Sequence, residues 1–187
     1  MRIIAGKFRS KLLSSPKTSD IRPTSDRVRQ AIFNILSSRL GNDFSGINVL
    51  DLFAGTGAFG IEAISRGADE VVFVDNGIEA RGILRKNIED FGIAGQVKLL
   101  KCDATSLMKI EKFNPFNLVF IDPPYGKKMG EKALKSALDN GWIALGAIIV
   151  LEENARAEIV FPQGLELLDK RKYGSTQVLF LKHEDSS

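Results

Sequence analysis

Cysteine and histidine are nearly missing from this chain, with one of each in 187 residues. A single cysteine excludes an intramolecular disulfide. One thiol and one imidazole also argue against a structural zinc site, and no metal is expected. Long apolar runs are missing too. The densest late run, Ala147 to Leu151, is far too short to span a bilayer. The opening Met1-Arg2-Ile3-Ile4-Ala5-Gly6-Lys7 turns polar too quickly for a signal peptide, so the default compartment is the cytoplasm. No internal repeat or low-complexity segment is visible. What remains is ordinary for one globular domain: 44% hydrophobic and 26% charged residues, enough for a sizeable core.

The net charge of +3 is unevenly spread. Residues 1–30 hold Arg2, Lys7, Arg9, Lys11, Lys17, Arg22, Arg27 and Arg29 against Asp20 and Asp26, a net of +6. The remainder carries eighteen basic and twenty-one acidic residues, a net of −3. A basic arm on a mildly acidic body suits a polyanionic partner such as nucleic acid, although a solvated basic tail has the same composition. Residues 1–20 therefore read as a hairpin or extended arm, and 21–187 as the main domain.

Hydrophobic periodicity places the elements. Thr24 or Ser25 can cap a helix whose apolar stripe is Val28, Ala31, Ile32, Ile35 and Leu36. After Gly41 the pattern alternates. Strands are predicted at 48–53, 70–74, 97–101, 117–121 and 147–152. Helices are predicted at 59–65, 78–91 and 128–140. A closing antiparallel pair, 165–173 and 177–182, flanks Gly174-Ser175. Such alternation implies a mostly parallel α/β sheet of seven strands, Rossmann-like, with helices on both faces.

The first strand runs directly into Gly55-Thr56-Gly57-Ala58-Phe59-Gly60, a G-x-G-x-x-G turn between strand and helix. Asp75 lies 20 positions after Gly55, at the end of the next strand, where a carboxylate can hold ribose hydroxyls. The pattern suits an adenosine-containing cofactor; a plain tight turn and a nicotinamide dinucleotide site share it. Asp51, just before the loop, and Asp103, after the third strand, separate these. Asp-Leu-Phe-Ala-Gly-Thr-Gly resembles the first motif of class I methyltransferases, whose acid helps hold the methionine part of S-adenosyl-L-methionine. In that group the acid after the third strand reads the adenine amino group.

The fourth strand ends in Asp122-Pro123-Pro124-Tyr125, which resembles the motif of methyltransferases acting on planar exocyclic amines. Such an amine is a poor nucleophile, because its lone pair is delocalised into the ring. The Asp122 carboxylate and Pro123 carbonyl can accept its two N–H groups and position the nitrogen for in-line attack. Two prolines stiffen the segment. Tyr125 offers a stacking face worth roughly 1–3 kcal/mol. The motif by itself tolerates guanine N2 or adenine N6, and a Pro-Pro turn with a core tyrosine is the ordinary alternative.

Taken together these residues resemble the RsmD family of bacterial methyltransferases over nearly the whole chain. The opening Arg2-Ile-Ile-Ala-Gly-Lys-Phe-Arg, the stretch from Arg22-Pro-Thr-Ser-Asp26-Arg27 through Phe33-Asn34, Asp51 through Ala63, Ser65-Arg66-Gly67, and Tyr173-Gly174 carry the likeness. The resemblance implies methylation of guanine N2 at position 966 of 16S ribosomal RNA, in a small ribosomal subunit or its assembly intermediate, by a monomer. It implies a cofactor set of Asp51, Phe53, Gly55, Thr56, Gly57, Asp75, Asn76, Asp103 and Ala104. It puts the target base against Asp122, Pro123, Pro124 and Tyr125, and RNA against Arg2, Lys7, Arg9, Lys11, Arg22, Arg27 and Arg29. Phe59 departs from the smaller aliphatic residue common there, a matter of packing. Rival readings are an adenine-N6 methyltransferase, for which no target-recognition domain fits in this length, and a non-catalytic RNA-binding assembly protein. Elsewhere, Cys102 reads as a small buried hydrophobe, Trp142 as a packing residue and His183 as solvated. Glu152, at the end of the fifth strand, faces the site without an assigned role.

Overall fold

A computed structural model describes residues 1–16 and 25–185. The Arg22-Pro23-Thr24 stretch lies outside the described residues. The chain order is α1 (Asp26–Leu40), β1 (Asn48–Leu52), α2 (Ala58–Ser65), β2 (Glu70–Val74), α3 (Ile78–Phe91), β3 (Val97–Leu100), β4 (Phe116–Ile121), α4 (Met129–Asp139), β5 (Ile143–Asn154), β6 (Leu165–Tyr173) and β7 (Thr176–His183). One seven-stranded sheet has the order β3-β2-β1-β4-β5-β7-β6. The first five strands are parallel, and β7 inserts antiparallel between β5 and the edge strand β6.

Strand alternation divides the core in two. Val49, Val71, Phe73, Leu118, Phe120, Ile148 and Val150 point to the face covered by α1, α2 and α3. Leu50, Leu52, Val72, Val119, Ile121, Ile149 and Leu151 point to the face covered by α4. Burial on both sides explains why these strands read as continuous apolar runs. Phe59 stacks on Phe120 with ring centroids 4.8 Å apart, so its departure from the smaller residue is absorbed in packing.

Ser25 caps α1, its hydroxyl accepting from the Val28 N–H at 3.3 Å. The buried stripe of α1 is rotated from the predicted one. Arg29, Ile32, Phe33 and Leu36 face the core, while Val28 and Ala31 line a cavity near the candidate site. Val28 and Ile35 are only partly buried against the same core, because the start of α1 also walls that cavity.

Residues 1–13 form a small hairpin closed by the Arg2–Leu12 bridge, with Ile3 and Leu13 buried. It is fastened to the domain through polar groups of α2 and α3. Glu62, fully buried, accepts from the Ile4 and Ala5 N–H groups at 2.8 and 3.1 Å and from Arg66 at 2.8 Å. Ser65 accepts from the Phe8 N–H at 3.0 Å. Asn87 accepts from the Ser14 N–H at 2.8 Å. At Gly6 a Cβ would lie 1.7 Å from the Ser65 carbonyl oxygen, so only glycine permits this approach. His183 is no tail residue: it ends β7, half-buried, with Nδ1 3.1 and 3.0 Å from the Ile143 and Ala144 carbonyls. Trp142 packs as expected, stacked on Phe116 and donating to the Met108 carbonyl at 2.8 Å.

Candidate active site

The parallel register sets the site. Leu52 lies opposite both Val74 and Ile121, and Ile121 lies opposite Leu151. The next residues, Phe53, Asp75, Asp122 and Glu152, therefore stand in a row at the carboxyl edge of the sheet. This edge is where open α/β sheets bind ligands.

The glycine loop leaves β1 through Phe53, whose φ of 59° is left-handed. A bulky residue held there costs about 1–3 kcal/mol and is typical of sites whose geometry is imposed by their surroundings. Gly57 has φ 79°, and a Cβ would sit 2.4 Å from Leu84. Asp75 cinches the loop, accepting from the Gly55 N–H at 2.9 Å and the Gly77 N–H at 2.7 Å. Asp51 lies beneath, 1% exposed, accepting from the Gly60 N–H at 3.0 Å. Burial pushes its carboxyl up to about 8 against that hydrogen bond, with the Asp75 charge adding to the rise. Asp103 accepts from the Thr105 N–H and hydroxyl at 2.8 and 2.7 Å, which holds its carboxyl below the ordinary value. Ala104 is buried and Asn76 is exposed beside them. The predicted cofactor residues are thus brought to one edge, spread over three neighbouring strands.

Asn87 is a contributor that the motifs do not show. Fully buried in α3, it donates to the Thr56 carbonyl at 2.9 Å and to the Ser14 carbonyl at 3.2 Å. It ties the glycine loop to the N-terminal segment. The signal for it is a polar residue in the buried stripe Arg81, Leu84, Asn87, Phe91.

Across the edge, Asp122 is half-buried, Pro123 buried and Pro124 exposed. Tyr125 is held at its hydroxyl, 2.8 Å from Glu152 Oε1 and 2.8 Å from Thr176 Oγ1. A carboxylate cannot donate, so the phenol proton goes to Glu152 and Thr176 donates to the phenol. Burial raises the Tyr125 pKa, the Glu152 charge adds to that, and the Thr176 bond opposes it. The phenol therefore stays protonated, and Glu152 acquires a role in fixing the ring.

Of the basic residues, Arg2, Lys7, Arg9, Lys11 and Arg27 are exposed. Arg29 is corrected: it is fully buried, paired with Asp26 at 3.0 Å and donating to the Arg2 carbonyl. Its guanidinium serves the hairpin and cannot reach RNA. Arg22 lies outside the described residues. Lys7 and Lys11 reach Gln96, past the end of α3, and Asp90, in its last turn. That helix has 14 residues, or about 21 Å, so the hairpin tip lies at the opposite end of the sheet from Asp122. Among the described residues no group of three or more His, Cys, Asp or Glu could hold a metal ion, and no helix is long and apolar enough to cross a membrane.

The family Conserved hypothetical protein 95 matches residues 1–182. Ribosomal RNA small subunit methyltransferase D of Escherichia coli strain K12 is 36% identical over 152 residues, covering 81% of this chain and 74% of that protein. The chain belongs to this family. The Haemophilus influenzae protein of the same name, another similar sequence, is 30% identical over 93% of this chain and 89% of its own. Among solved structures, yhhF from Escherichia coli aligns with a TM-score of 0.85 at 30% identity, covering 98% of each chain. A Thermus thermophilus enzyme described as a 16S rRNA N2 G1207 methyltransferase, in complex with AdoMet and guanosine, shares the fold with a TM-score of 0.64 at 21% identity, over 88% of this chain and 44% of its own. The expected family and the seven-stranded methyltransferase architecture are both borne out.

Proposed function

We propose that this protein transfers a methyl group from S-adenosyl-L-methionine to the exocyclic N2 of a guanine in 16S ribosomal RNA. The observation that carries the reading is the juxtaposition of Asp122-Pro123-Pro124-Tyr125 with the glycine loop at one sheet edge, Tyr125 being fixed by Glu152 and Thr176. The family relatives named as small-subunit ribosomal RNA methyltransferases support the substrate class.

The chain's own residues fit the cofactor. A left-handed glycine at position 57 lets backbone approach closely. Asp75 stands beside the loop to meet ribose hydroxyls, and Asp103 to meet an adenine amino group. Asp51 is a buried carboxyl whose ionised form is held back by burial; a cation nearby would favour its charged form. When bound, the cofactor supplies a methyl on a positively charged sulfur, already activated for displacement. The protein then has to orient the amine. Asp122 and the Pro123 carbonyl accept its two N–H groups, which favours a pyramidal nitrogen. The Tyr125 ring stacks on the base. Asp122 would also take the proton that the amine gives up on methylation. A loop base needs only local unstacking to enter, whereas a paired base must flip out. This substrate places the protein, acting as a monomer, on the small subunit or its assembly intermediate in the cytoplasm.

The test is methyl transfer from radiolabelled S-adenosyl-L-methionine to small subunits from a strain lacking this protein, followed by nucleoside analysis. N2-methylguanosine in 16S RNA is the expected product. N6-methyladenosine would keep the chemistry and replace the base. Absence of label with cofactor binding intact would overturn the reading.

A further inference from the structure

We infer that a cationic groove beside Tyr125, walled by the start of α1 and the β6–β7 turn, holds the single-stranded RNA that flanks the target nucleotide. This rests on the RNA methyltransferase reading and specifies its docking surface. The groove begins as a cavity of about 630 Å³ lined by Arg27, Val28, Tyr125, Glu152, Lys172 and Tyr173, among others. A second cavity of about 510 Å³ shares Lys172 and Gly174 with it and adds Asn154 and Arg156. The two form one path from Tyr125 across the β6–β7 turn to Arg156.

The chemistry along that path is asymmetric. Arg27, Lys172 and Arg156 are exposed, and none of them belongs to an ion pair among the described residues. Neighbouring Arg171, by contrast, is paired with Asp169 at 3.0 Å. The one carboxylate that lines the path, Glu152, is set deep, 4% exposed. It is occupied there in accepting the Tyr125 hydroxyl. The result is a positive rim over a floor that includes Val28, Ala31 and the half-buried Tyr173. Spaced cations with apolar and aromatic surface between them match a strand whose phosphates lie outward and whose bases lie flat. Concave walls suit a single strand better than a duplex. Continuity with Tyr125 selects nucleic acid over other polyanions. The groove also adjoins the reacting base directly, which the tip of the N-terminal hairpin, at the far end of the sheet, does not.

The experiment uses the full chain and a fluorescently labelled single-stranded RNA of mixed sequence, with affinity measured against salt. The triple variant Arg27→Gln, Lys172→Gln, Arg156→Gln is compared with a charge-matched triple outside the groove, Lys98→Gln, Lys109→Gln, Lys112→Gln. Removing one phosphate-binding cation lowers the slope of log affinity against log salt by about 0.7, so the groove triple should flatten it by about 2. In methyl transfer to small subunits, its KM should rise at least about tenfold while kcat at saturation and cofactor affinity stay near wild type. Equal slopes and equal KM for the two triples would overturn the groove and leave Lys172 as a charge guarding the sheet edge. If wild type transfers no methyl, the reaction reading fails, and the RNA-binding slopes still decide the groove on their own.

Discussion

Replacing Asn87 with alanine should damage both folding and cofactor binding, in separable amounts. The side chain makes three hydrogen bonds: it accepts from the Ser14 N–H and donates to the Ser14 and Thr56 carbonyls. Asn87 is fully buried and Thr56 is 9% exposed, so water does not readily replace those bonds. At about 1 kcal/mol for each, the loss is about 3 kcal/mol. For a domain of this size that corresponds to a fall in Tm of about 6–12 °C. The Thr56 carbonyl belongs to the glycine loop, and a loop released there must be reordered when cofactor binds. If that costs about 1 kcal/mol, affinity falls at least about fivefold. Asn87→Asp sharpens the case. It keeps the acceptor for Ser14 but sets a carboxylate against two carbonyl oxygens, so at neutral pH it should be worse than alanine. Thermal unfolding and calorimetric titration of S-adenosyl-L-methionine measure the two effects. A Tm within about 2 °C of wild type together with unchanged affinity would refute the reasoning, as would an Asp variant better than the Ala variant.

Three further outcomes are open to measurement. Tyr125→Phe keeps the ring but removes the link to Glu152 and Thr176, and should lower kcat/KM about 3- to 10-fold; Tyr125→Ala also loses stacking and should cost about 10- to 100-fold, an ordering that equal activities would contradict. Glu62→Ala leaves Arg66, which is only 10% exposed, without its partner and strands two backbone N–H groups, so unfolding in denaturant should show a loss of about 3–5 kcal/mol, with faster proteolysis inside residues 1–16. The Asp51 carboxyl, raised from 3.8 to about 8, makes the folded protein hold a proton that the unfolded chain releases. Stability without cofactor should therefore fall as pH rises from about 4 to 8, and Asp51→Asn should flatten that dependence in thermal unfolding at several pH values.

How much of this is legible in the sequence depends on how local each cause is. The bounds of β2, α3 and β6 coincide with those predicted, because β-branched runs, helical periodicity and terminal glycines act within a few residues. β5 is longer than its apolar run, 143–154 against 147–152, because pairing with β7 carries it past the hydrophobic stretch. The row formed by Asp75, Asp122 and Glu152 follows from register, which the strand ends suggest. The fixing of Tyr125 does not: Glu152 and Thr176 lie 27 and 51 positions away. The burial of Arg29 is hidden for a similar reason. Its partners include a backbone carbonyl 27 positions earlier, and charge counting cannot tell such an arginine from a solvated one.

The hairpin at residues 1–13 also orders events during synthesis. Its polar partners, Glu62, Ser65, Asp90 and Gln96, lie 57 to 89 positions downstream. These residues are made before α2 and α3 and must wait, exposed, until both have emerged and packed. Closing so long a loop carries an entropic cost that precedes any stabilisation from packing. A segment made well before its partners is thus among the last of this domain to settle. Because Asn87 binds Ser14 and Thr56 together, the cofactor loop reaches its final form only when that late step is complete.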